Sequence, residues 1–89
     1  MPSDEIMATL RDLAPGRDAR VERLSAALRP EVRRRLRELG FGQGELVRCL
    51  RAAPLGGPRV YSVSGAAFAL EAPLAEQVEV SLLESHVDH

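Results

Sequence analysis

Apolar residues in this chain recur mostly at every second position, and that strand-like period is interrupted once by a helical stripe. Between Arg17 and Leu24, Ala19, Val21 and Arg23 fall on one side and Arg20, Glu22 and Leu24 on the other, as in a strand with a narrow apolar face. Val32, Leu36 and Leu39 then follow at i, i+4 and i+7, one stripe of a helix. Pro30 suits the first helical position, where its missing N–H is not needed, so the helix is predicted over Pro30 to Leu39. Gly40 stands where a left-handed cap is wanted, and Phe41 after it can fold back on Leu36.

Alternation resumes after Gly42-Gln43-Gly44. From Glu45 to Ala52, Val47 and Cys49 share one face, and Leu46, Arg48 and Leu50 share the other. Ala53 to Pro58 reads as a connecting turn. Arg59 to Ser64, Ala66 to Glu71 and Val78 to Leu82 read as three further strands. Ala14-Pro15-Gly16 is a turn signal, while Pro2-Ser3-Asp4-Glu5 reads either as a frayed end or as the cap of one helical turn through Leu13. Ser25 to Arg29 is ambiguous, being rich in alanine yet followed by proline. The predicted fold is mainly β: a small SH3-like barrel of about five strands, with one α-helix inserted after the first. The domain is expected over residues 13–82, with an extension at 1–12 and a polar, mobile tail at 83–89.

Eighty-nine residues allow one domain. No segment approaches the 18 apolar residues of a membrane-spanning helix, and Asp4 and Glu5 stand where a secretory leader would carry positive charge. A single cysteine, Cys49, cannot form an internal disulfide, which agrees with a reducing compartment, so a cytoplasmic location is expected. The net charge of −1 conceals a split: all twelve basic residues are arginines at or before Arg59, and residues 61–89 hold five acids and no base.

Arg29, Arg33, Arg34, Arg35 and Arg37 cluster on and beside the helix, offering either a docking face for an acidic partner or a solvated face partly neutralised by Glu31 and Glu38. Nucleic acid is disfavoured, because neither net positive charge nor a set of stacking aromatics is present. Gly40, Gly42 and Gly44 follow a helix instead of preceding one, which argues against a phosphate loop. Two phenylalanines and one tyrosine are too few for an aromatic groove of the kind that takes proline-rich peptides. Cys49, on a strand, reads as a small core residue. His86, Asp88 and His89 have the right donors for a weak divalent site, zinc or iron, but no cofactor is expected to be required. No nucleophile–base or paired-carboxylate set is assembled, so an enzyme is not expected.

The order of these elements, and much of their wording, resembles the FeoA family from about Leu13 to Val80. The resemblance is carried by Leu13, Pro15 and Gly16, by Arg35, Leu36, Leu39, Gly40 and Gly44, by the turn Ala53-Pro54-Leu55-Gly56-Gly57-Pro58, and by Ala69-Leu70. It implies an SH3-like barrel and a non-catalytic accessory or regulator of ferrous iron uptake, acting through the cytosolic parts of the FeoB transporter. Candidate contacts are Arg33, Arg34 and Arg37 on the helix, and Pro54, Leu55, Gly56, Gly57 and Pro58 in the turn. The alternative is a free-standing interaction module similar to the carboxyl-terminal domain of iron-dependent repressors. Direct insertion into a membrane is not expected.

Overall fold

A computed structural model describes residues 6–83. Six antiparallel strands form one sheet: β1 (Ile6–Thr9), β2 (Asp18–Leu24), β3 (Leu46–Ala52), β4 (Arg59–Val63), β5 (Ala66–Leu70) and β6 (Val78–Leu82), in the order β1-β6-β2-β3-β4-β5. Helix α1 (Pro30–Leu39) fills the connection between β2 and β3, and a single helical turn, α2 (Ala72–Ala75), leads into β6. The mainly-β barrel with one inserted helix is therefore present. It gains one strand at the amino end, so the helix follows the second strand and not the first. The sequence of residues 6–9 suggests a frayed end or helical turn, because four residues hold too little periodicity to declare a strand. What makes them one is the free edge of β6, which pairs Ile6 with Leu82 and Thr9 with Glu79. The helical turn survives only as a 3₁₀ turn at Leu10–Asp12.

β2 departs from strict alternation for a visible reason. Its register with β6 shifts between Val21 and Arg23, a bulge that lets two residues oppose one. Beyond it the faces exchange: Arg23 turns to solvent and ion-pairs with Glu79 (Nε–Oε1 2.6 Å), while Leu24 packs against the core. β3 keeps the alternation expected of it, with Val47 and Cys49 buried and Leu46, Arg48 and Leu50 exposed.

The core is built from Val21, Leu36, Phe41, Val47, Tyr61, Val63, Val78 and Val80, joined by Leu10 and Leu13 from the segment after β1. Phe41 meets Tyr61 edge-on (ring centroids 6.4 Å apart, 88° between planes) and Phe68 at 6.2 Å. Phe41 and Tyr61 are thus buried and Phe68 packs half-buried against the core, so no aromatic groove remains among the described residues.

The two ends of the sheet are drawn together by polar contacts that the sequence did not announce. The buried Tyr61 hydroxyl donates to the Leu10 carbonyl at 2.7 Å, and Arg59 Nη2 donates to the Leu13 carbonyl at 2.6 Å. β4 lies next to one end of the strand order and Leu10 directly follows the strand at the other. These bonds therefore latch the curl of the sheet across its open side.

Candidate functional site

Helix α1 positions the arginine face. Its stripe of Val32, Leu36 and Leu39 packs on the core, so Arg34 and Arg37, on the far side of the helix, point to solvent. Its carboxyl end is set by two bonds, Gly40 N–H to the Arg37 carbonyl (3.1 Å) and Phe41 N–H to the Leu36 carbonyl (2.9 Å), the Schellman pattern. Gly40 has φ 116°, as the cap requires, and Phe41 folds back into the core beside Leu36.

The candidate arginines do not behave alike. Arg33 is half-buried and turns back toward the residues preceding the helix, donating to the Leu28 carbonyl at 2.5 Å and more weakly to that of Ala26 at 3.4 Å. Its charge braces the loop that feeds α1 and is the least available of the three. Arg34 and Arg37 are exposed, and neither has an ion-pair partner among the described residues. Arg37 and Arg33 line an open groove of about 600 Å³ between α1 and the bulge of β2, together with Glu22, Arg23, Leu24 and Gln43. Glu22 is held there by the buried Ser81, whose hydroxyl donates to Oε2 at 2.7 Å.

The second candidate, Ala53–Pro58, closes the β3–β4 hairpin. Ala53 N–H bonds the Pro58 carbonyl at 2.9 Å, and Gly57 N–H bonds that of Pro54 at 3.2 Å. Leu55 (φ 60°) and Gly56 (φ 77°) both occupy the left-handed region, as a tight hairpin turn of the I′ kind demands. A Cβ on Gly57 would stand 2.8 Å from that of Ala53, so the loop doubles back too closely for any other residue. Leu55 is fully exposed.

The fold does not merge these two surfaces. The carboxyl end of α1 runs through Gly44 into the start of β3, whereas the turn follows its end, and seven residues of strand span roughly 20 Å. Arg11, far from the turn in sequence, lies beside it: its Nη2 is 4.0 Å from where a Cβ on Gly56 would be. Arg11 also ion-pairs with Glu76. No local signal could have linked residues 45 positions apart.

On the outer face of the sheet, Arg48 grips Asp18 with two bonds (2.8 and 3.1 Å). The hydrogen bond from Arg48 holds the Asp18 carboxyl below its ordinary pKa against a smaller opposing effect of burial. Cys49 is fully buried, in keeping with a core role, with Sγ 3.7 Å from the Arg51 carbonyl. Among the described residues, no three His, Cys, Asp or Glu side chains converge on a metal position. His86, Asp88 and His89 lie outside the described residues. No helix among those described is long and apolar enough to cross a membrane.

Comparison with known proteins agrees with this architecture. No curated protein sequence matches the chain significantly. Among solved structures, Stenotrophomonas maltophilia FeoA complexed with zinc, described as an SH3-domain protein, is 38% identical, with a TM-score of 0.71 over 81% of this chain and 87% of that one. An iron uptake regulatory protein (FeoA) is 28% identical, with a TM-score of 0.78 over 88% of this chain and 100% of that one. A manganese-dependent transcriptional repressor in complex with manganese shares the fold alone: 23% identity and a TM-score of 0.78 over 93% of this chain but 38% of that one. The FeoA domain model matches residues 8–82, and with the geometry above this shows that the chain belongs to the FeoA family.

Proposed function

We propose that this protein is a non-catalytic, cytoplasmic accessory factor of ferrous iron uptake that docks on the cytosolic portion of a FeoB-type transporter. The match of the FeoA domain over residues 8–82 carries this reading. The described surface supports it: Phe41 and Tyr61 are buried and Phe68 is half-buried, and the open groove is lined by Arg23, Arg33 and Arg37 beside Glu22. Such a surface suits protein–protein contact better than chemistry. No resident cofactor is invoked, and His86, Asp88 and His89 are proposed only as a weak site for a divalent ion such as zinc or iron.

Arg34 and Arg37 are the steering charges of the proposed interface. Exposed charges at a rim act mainly on association rate and salt dependence. Reversing both to glutamate should lower affinity for the FeoB cytosolic portion roughly tenfold at low salt, and the difference should shrink as ionic strength rises and the Debye length falls. The melting temperature should hardly change, because neither side chain is buried or paired. Surface-immobilised binding measured from low to high salt tests this. Equal binding of the double variant at low salt would remove the arginine face from the interface. Failure of the parent to bind either the cytosolic portion or the whole transporter would remove the partner itself.

The likeness to the manganese repressor supports a second reading, a free-standing interaction module of the kind found at the repressors' carboxyl end. Co-purification separates the two readings, by recovering either a membrane GTPase or a transcriptional repressor.

A further inference from the structure

Leu55 combines a backbone conformation that works against the folded state with a side chain that gains nothing from folding. Its backbone sits in the left-handed region, where a Cβ crowds the following carbonyl, and its side chain is fully exposed to water. The same molecule contains a control. The β4–β5 turn repeats this geometry with Ser64 (φ 52°) and Gly65 (φ 80°), against 60° and 77° at Leu55 and Gly56. There the first position holds a small polar residue. The backbone therefore does not call for leucine, and asparagine before glycine is the pair such turns favour.

We propose that Leu55 is an apolar anchor that inserts into a pocket on the partner protein, with Arg51 meeting an acidic group at the rim of that pocket. This rests on the accessory-factor reading above. Arg51 is exposed on the same hairpin, whereas Arg11, beside Gly56, is already paired with Glu76. The turn is presented ready-made: two backbone bonds close it and prolines 54 and 58 flank it, so little freedom is lost on docking. A bilayer is a poor occupant, since even one fourteen-carbon chain gives only marginal membrane binding and a single leucine buries far less.

The test uses the full chain with Leu55→Asn and Leu55→Met, with the FeoB cytosolic portion and, separately, phosphatidylserine-containing vesicles as probes. Leu55→Asn should melt a few degrees higher, because the turn is relieved, yet bind the FeoB portion roughly tenfold to a hundredfold more weakly, the worth of one buried leucine. Leu55→Met should bind within a few-fold of the parent. If the parent binds and Leu55→Asn binds equally well, the anchor is overturned while the docking reading stands. A lower melting temperature or failure to fold in Leu55→Asn would make the leucine structural and overturn it too. Vesicle binding that depends on Leu55 would replace the protein pocket by a membrane. If the parent does not bind the FeoB portion, the docking reading falls and the anchor with it.

Discussion

Gly40→Val is expected to destabilise the protein by about 3 kcal/mol or more. Two effects combine. At φ 116° the backbone lies where side chains are rarely accommodated, which alone costs roughly 1–2 kcal/mol for a β-branched residue. In addition, a Cβ there would stand 2.9 Å from Ser64 Oγ, 3.3 Å from Ser64 Cβ and 3.4 Å from Val63 Cγ1. The hydroxyl can rotate away, but the Ser64 Cβ and the Val63 methyl move only if the β4–β5 turn moves. Phe41 and Leu36, which the cap holds together, would lose their register as well. For a domain of this size, 3 kcal/mol corresponds to a fall in Tm of roughly 12–24 °C. Gly44→Ala provides the comparison: φ is 89°, but nothing lies within 4 Å of its Cβ position, so only the conformational part should appear. Thermal unfolding of both variants decides the matter. Equal losses at the two positions would show that the contact between the helix cap and the β4–β5 turn does not matter.

Alkaline pH should unfold the protein through Tyr61. Its hydroxyl is fully buried, and burial raises its pKa from 10 to about 12, despite the opposing hydrogen bond and positive charge of Arg59. A raised acid pKa means that the native state favours the protonated phenol. The stabilisation is therefore complete below pH 10, the unfolded value, and disappears as pH rises from 10 through 12. Two pKa units correspond to about 2–3 kcal/mol, a sizeable part of the stability of a small domain. The measurement is unusually direct, because Tyr61 is the only tyrosine and the chain has no lysine to titrate beside it. Phenolate absorbance should develop near pH 12, or together with loss of structure, and the urea midpoint should fall across the same window. Tyr61→Phe should start lower at neutral pH, having lost the bond to the Leu10 carbonyl, and should lose this component of the alkaline dependence. A free phenol titrating at pH 10 in the folded protein would disprove the buried latch.

Several elements follow from sequence because their causes are local. Helix α1 is set by Pro30, by the spacing of Val32, Leu36 and Leu39, and by Gly40, and all of these lie within eleven residues. β3 alternates from Leu46 to Leu50, and the turns at Ala53–Pro58 and Ser64–Gly65 carry their glycines with them. The family resemblance rests on the same local wording. Other features are decided at long range. β1 is a strand because β6, seventy or more residues away, offers an open edge. The side on which Leu24 lies is decided by a bulge against that same strand, not by its own spacing.

The candidate site divides in the same way. The arginine cluster is legible along the chain, but the withdrawal of Arg33 onto the Leu28 carbonyl is not, since helix periodicity places a side chain's root and not its tip. The Arg59 guanidinium turns inward, donating to the Leu13 carbonyl, a backbone oxygen left over by the curl of the sheet, and to the Tyr61 hydroxyl. The proline and glycine punctuation around Leu55 marks a turn. That the leucine itself sits strained and exposed at the tip depends on the handedness of the hairpin and on how closely Gly57 must approach Ala53. Periodicity and turn chemistry act over a few residues and can be read in one dimension. Edge pairing, bulges and the direction of long side chains depend on which distant strand becomes a neighbour, and only the folded chain supplies that.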